Sequence, residues 1–111
     1  MIGSYSLFVQ TLITSLVLLA SSLPSEAVAK MPPGEEAFER HCFVCHPKGG
    51  NVITPSKTLR SADLQKNGIL TVGDIVSKMR NPGPAMRKFD EATIPDETAQ
   101  AIAEHILKAF R

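Results

Sequence analysis

At 111 residues and a formal net charge of +1, the chain has material for one small domain with an appendage, and none for a second domain. Twelve Lys and Arg stand against eleven Asp and Glu, which excludes the strongly basic surface of a nucleic-acid binder.

Residues 7–20 (LFVQTLITSLVLLA) form an apolar run of 14 residues without a charge. That is short of the roughly 20 residues a helix needs to span hydrocarbon. A small and polar stretch follows and closes in Ala27-Val28-Ala29, a pattern signal peptidases accept. Residues 1–29 are therefore expected to be a cleaved secretory signal, and the mature domain to run over 30–111. The leading segment has no Lys or Arg, so an uncleaved anchor is the alternative. No cysteine lies near the run, which removes a lipid anchor on cysteine. Both readings imply export. The mature chain would carry twelve basic and ten acidic residues, since only Glu26 is lost. A domain of about 80 residues buries only about 60 to 65 per cent of its unfolded surface, so its core needs a supplement.

Met31-Pro32-Pro33 is a stiff lead-in to a first helix predicted over 34–45, with Glu35 and Glu36 in its first turn and Ala37, Phe38 and Val44 on one face. Residues 47–56 hold Pro, Gly-Gly, Asn and Thr-Pro, the composition of an ordered surface loop. A short helix is predicted over 61–66, stopped by Asn67-Gly68. An amphipathic helix follows over 73–80, carrying Ile75, Val76 and Met79 and ended by Asn81-Pro82-Gly83-Pro84. A loop then bears Met86 and Phe89. Asp96 is expected to cap a last helix with a stripe of Ala99, Ile102, Ala103, Ile106, Ala109 and Phe110. The fold class is all-α, about four helices, with loops long enough to wrap something.

Cys42-Phe43-Val44-Cys45-His46 has the spacing C-x-x-C-H, the attachment pattern of c-type haem. Two thiols three residues apart can each form a thioether to a haem vinyl group, and the adjacent imidazole can bind the iron. A redox disulfide of thioredoxin type would need a βαβ framework, which is missing. Zinc would need four ligands, and His41 and His105 supply neither a second close pair nor the usual spacing. One covalent haem c per chain is the reading that uses all the motif's residues and also fills the core.

An iron that transfers electrons needs a second axial ligand. Met86 is expected to supply it, from a loop forty residues beyond His46, and a thioether there favours ferrous iron. Met79 is the rival sulphur, but its helical register makes it a core residue. Met31 and His41 lie too close in sequence to His46 to reach the far face. His105 reads as a packed or half-exposed residue of the last helix.

These residues resemble the class I c-type cytochromes, and within them cytochrome c6, the small soluble carriers of algae and cyanobacteria. The resemblance rests on Gly34-x-x-x-Phe38-x-x-x-Cys42-x-x-Cys45-His46, Gly50-Asn51-Val52-Ile53, Lys57-Thr58-Leu59, and Asn81 followed by Ala85-Met86-x-x-Phe89. It implies a small class I fold around one haem, a loop over 51–59 packed beside the haem edge with Lys57 near a propionate, and Met86 as sixth ligand. Two departures stand out. Arg87 occupies the place where the family has proline, which puts a positive charge near the haem edge or partner surface. His105 replaces an aromatic packed on Gly34, which implies a looser helix crossing.

The function expected is single-electron transfer between redox proteins, in the periplasm or another exported compartment such as a thylakoid lumen. The mature form is expected to be a monomer without a membrane segment unless the leader is retained. The alternative is a haem-based sensor or gas-binding module with an open sixth site. An enzyme such as a peroxidase subunit would need a distal acid–base pair that the chain does not supply.

Overall fold

The computed structural model of the protein describes Ser25 and residues 27–111. The regular structure there is four helices, α1 (Pro33–His41), α2 (Ser61–Lys66), α3 (Val72–Arg80) and α4 (Asp96–Ala109), with a 3-10 turn at Pro47–Gly49. No strand occurs among the described residues. Most of the expected signal segment lies outside them.

Pro33 opens α1 where its missing N–H costs nothing, and Glu35 and Glu36 face the positive end of the helix. The helix ends at His41, four residues before the expected 45. The Cys42 and Phe43 amides both donate to the Phe38 carbonyl, at 2.8 and 3.1 Å, which breaks the i to i−4 ladder and turns the chain. Val44 consequently points to solvent, 80% exposed, instead of lying on the buried face of α1.

The α3 helix begins one residue earlier than its apolar spacing implies because Thr71 and Asp74 form a capping box. The Asp74 amide donates to Thr71 Oγ1 at 3.1 Å, and the Thr71 amide to Asp74 Oδ2 at 2.9 Å. Asp96 does not cap α4. It occupies the first helical position after Pro95, and its carboxylate accepts from Arg80 instead.

The α4 helix is the centre of the core. Ala99, Ile102 and Ala103 are fully buried, Ile106 nearly so, and α4 packs against both α1 and α3. Small residues at two of these positions let both helices approach. The crossing with α1 is tight, contrary to the looser one expected from His105. A Cβ at Gly34 would overlap the Ala101 carbonyl oxygen, so only glycine permits this approach. The His105 ring packs tilted on Phe38 at 5.3 Å between centroids and edge-on to Phe110 at 5.8 Å. An imidazole thus fills the aromatic's place in the packing.

Candidate functional site

The C-x-x-C-H segment lies on the turn after α1. The Cys45 and His46 amides donate to the Cys42 carbonyl at 3.2 and 2.9 Å, so the motif is wound on itself. His46 is buried, and its Nδ1 lies 2.8 Å from the Gly50 carbonyl oxygen. A carbonyl only accepts, so Nδ1 carries the proton and Nε2 keeps its lone pair for a metal. The Gly49-Gly50 pair follows from packing. Gly49 has φ +77°, and a Cβ there would run into the Phe110 ring.

Cys42 is buried, and burial, reinforced by the neighbouring Cys45, pushes its thiol up to about 11. A reactive thiol has a depressed pKa, so Cys42 lacks the electrostatics of a redox nucleophile. Cys45 is half-buried, and its carbonyl accepts the Val52 amide at 3.0 Å. Neither cysteine is in a disulfide. Among the described residues no three His, Cys, Asp or Glu side chains converge as a zinc site requires.

Cys42 and His46 line a cavity of about 260 Å³, whose walls also include Met79 and Met86. Cys45 does not line it. Leu59, Leu64, Ile69, Ile75 and Ile106 make the walls apolar, while Thr54, Lys57, Thr58, Asn67 and Lys78 add polar groups. The loop over 51–59 is shaped by Asn51. Its Nδ2 donates to the Lys57 carbonyl at 2.8 Å, and its Oδ1 accepts the Ile53 and Thr54 amides.

The Met86 loop is anchored at its far end. The Phe89 side chain is buried, its amide donates to the Met79 carbonyl at 2.9 Å, and its carbonyl accepts from Arg80 Nη1 at 3.1 Å. Met86 is half-buried, whereas Met79 is 3% exposed, in the α3 register that makes it core. The cavity thus brings Cys42, His46 and Met86 together and adds Met79 and Lys78. Lys78 was not legible as a cavity residue, because its position on α3 reads as solvated from the helical pattern alone.

Apolar walls, two cationic side chains, an imidazole lone pair and a thioether suit a flat, largely apolar macrocycle with two carboxylates and a borderline-soft iron. Comparison with known proteins agrees with that chemistry. A family model described as cytochrome c oxidase, cbb3-type, subunit III, matches residues 29–106. Cytochrome c6 of Cyanidium caldarium is 31% identical over 104 residues, covering 91% of this chain and 94% of that one. The solved structure of OmcF, the outer membrane cytochrome F of Geobacter sulfurreducens, superposes with a TM-score of 0.69 at 47% identity, covering 70% of this chain and 99% of its own. Cytochrome c6 of the diatom Phaeodactylum tricornutum gives a TM-score of 0.63 at 34% identity, covering 68% and 87%.

The chain belongs to the c-type cytochromes, in their small class I form. More narrowly, it is a cytochrome c6-like monohaem protein that carries one covalent haem c and transfers electrons to and from redox partners, with no enzymatic reaction of its own.

Proposed function

We propose that Cys42 and Cys45 form the two thioethers to the haem, that His46 Nε2 and the Met86 sulphur are its axial ligands, and that the exported chain shuttles single electrons between a donor and an acceptor protein. The observation that carries this reading is the 2.8 Å contact of His46 Nδ1 with the Gly50 carbonyl. It leaves Nε2 as the free nitrogen of a buried ring in a cavity shared with Cys42 and Met86. Cys45 follows Cys42 by three residues on one turn, its amide donating to the Cys42 carbonyl at 3.2 Å, so a single turn carries both thiols.

When bound, haem supplies an iron that cycles between ferric and ferrous states. The polypeptide supplies the rest. The proton stays on His46 Nδ1, which donates it in a hydrogen bond to the Gly50 carbonyl; this fixes the ring and strengthens Nε2 as a ligand. Apolar walls exclude water, and Lys57 and Lys78 offer counter-charges for the propionates. Both ligand-bearing segments are tethered before any electron arrives, so little has to move on electron transfer.

Export is supported by residues 1–29 and by the exposure of Ala27-Val28-Ala29, which lies outside any helix with Val28 94% exposed. No helix among the described residues is long and apolar enough to cross a membrane.

The test is covalent attachment. Haem should survive acid–acetone extraction of the purified protein, and the intact mass should equal the polypeptide from Lys30 plus one haem. Extractable haem would remove the thioether assignment. A mass beginning at Met1, recovered only with detergent, would replace the cleaved signal by an anchor.

A further inference from the structure

We infer that Arg80 is a positioning residue for Met86: its guanidinium ties the far end of the methionine loop to the first turn of α4 and thereby governs how long the thioether remains on the iron. This rests on Met86 being the sixth ligand. The loop leaves α3 at Asn81, whose amide closes the helix on the Ser77 carbonyl at 2.8 Å. It runs through two prolines, presents Met86 and returns at Phe89. Nothing within the loop fixes that excursion except the Met86 amide on the Gly83 carbonyl at 3.3 Å, a long bond.

The return point is held much better. The Phe89 amide bonds to the Met79 carbonyl, and the Phe89 carbonyl takes Arg80 Nη1 at 3.1 Å. Arg80 Nη2 donates at 2.6 Å to Asp96 Oδ1, at the start of α4. One planar group therefore joins three segments: its own helix, the end of the loop and the helix at the centre of the core.

Exposure separates this guanidinium, though not its 63% exposed Asp96 partner, from that of an ordinary surface ion pair. The Arg80 side chain is 16% exposed, whereas that of Arg40, paired with Glu36 on α1, is 65% exposed. A guanidinium withdrawn from water holds its bonds more strongly and leaves an unsatisfied Phe89 carbonyl behind when removed. The two-pronged geometry is specific to arginine, since an ammonium cannot span both acceptors in one plane. The Arg87 guanidinium also touches this region, 4.9 Å from the Phe89 ring centroid, but from an exposed position where such contacts are weak. It is the natural control.

The experiment measures the sulphur-to-ferric-iron charge-transfer band and the rate of carbon monoxide binding to ferrous holoprotein, well below the thermal midpoint, in the unaltered protein, Met86→Ala, Arg80→Ala, Arg80→Lys, Asp96→Ala and Arg87→Ala. Carbon monoxide enters only when the thioether leaves, so its rate reports loop opening. Arg80→Ala should weaken the band and bind carbon monoxide about tenfold faster, the loosening that loss of a charge-assisted hydrogen bond brings. Arg80→Lys should stay nearer Arg80→Ala than the unaltered protein. Asp96→Ala should move the same way by less, and it reads the same tether if Arg80→Ala does not fold. Arg87→Ala should change neither signal. If Arg80→Ala and Asp96→Ala lower only the thermal midpoint and leave band and rate unaltered, Arg80 is merely structural and the inference is wrong. An unaltered protein that lacks the band and binds carbon monoxide as fast as Met86→Ala would instead remove the Met86 assignment.

Discussion

The two ends of the proposed haem site are built by different means. The histidine end is five contiguous residues on a self-bonded turn, its imidazole oriented by a carbonyl four residues away. The methionine end is a loop whose placement depends on Phe89 buried in the core and on Arg80 reaching across to α4. A local turn forms wherever its few hydrogen bonds form. A tethered loop is only as stable as the tertiary contacts at its base, and it opens with part of their free energy. The histidine end should therefore be nearly permanent, and the methionine end the part of the protein that yields first.

Destroying the histidine end has the largest expected effect. Changing Cys42 and Cys45 together to Ser should give a haem-free, unfolded chain, visible as loss of the helical circular dichroism, because so small a domain cannot close around an empty cavity. Changing either cysteine alone should leave one thioether and much less mature protein. A folded, haem-free double variant would show that the four helices suffice without the cofactor.

Striking the methionine end should instead leave a folded haem protein. Met86→Ala should lower the reduction potential by on the order of a hundred millivolts, within the span of about 0.8 V over which axial ligands move haem potentials, and admit carbon monoxide readily. Met79→Ala should mainly cost about 2 to 5 kcal/mol of stability, the usual result for a buried methionine. Potentiometry and chemical denaturation read the two effects separately. A reversal, with Met79→Ala changing the potential and Met86→Ala not, would move the ligand onto α3 and erase the contrast between turn and loop.

A smaller change probes the scaffold common to both ends. Gly34→Ala places a methyl against the Ala101 carbonyl and should force α1 from α4, costing about 1 to 3 kcal/mol by denaturation. The carbon monoxide rate should change less than in Arg80→Ala, since α1 meets the loop base only where His41, at the other end of that helix, packs edge-on to the Phe89 ring at 6.3 Å.

The same division governs what could be read from the sequence. The C-x-x-C-H motif is legible because its chemistry is local, and the four helices because their apolar periods survive in the chain order. The end of α1 was not, since it depends on two amides converging on the Phe38 carbonyl, and Val44 has the right period for a face it does not occupy. Arg80 was invisible because its acceptors lie nine and sixteen residues away, and in a helical pattern it reads as an ordinary basic last-turn residue. His105 misled in the opposite direction: the loss of an aromatic implied looseness, while Gly34 sets the closeness of the crossing and an imidazole fills the space.

Acid should separate the two ends most gently, because of the two carboxylates with displaced pKa values one, Asp90, sits at the base of the methionine loop and the other, Asp74, caps the start of α3, the helix that leads into it. Asp74, which caps α3, is held below its ordinary value near 3.8, first by the Leu70 amide and then by the Thr71 side chain and amide. Asp90, next to Phe89, is lowered chiefly by the Thr93 amide, which donates to its Oδ1 at 2.8 Å. A carboxylate whose folded pKa lies below its unfolded one stabilises the fold fully above the unfolded value of about 3.9, and loses that contribution as pH falls through the folded value. Between pH 7 and pH 5, about one unit above that range, these two groups should contribute no change. Below about pH 4 the cap of α3 and the turn after Phe89 should weaken together, so the charge-transfer band of Met86 should fade while the covalent haem and its histidine remain. Both carboxylates are exposed, so the effect is the smallest of the series. Asp74→Asn with Asp90→Asn should flatten the acid limb of band intensity against pH. An unchanged limb in the double variant would place acid sensitivity elsewhere, and loss of histidine ligation before the methionine band would invert the order of stability drawn between the two ends.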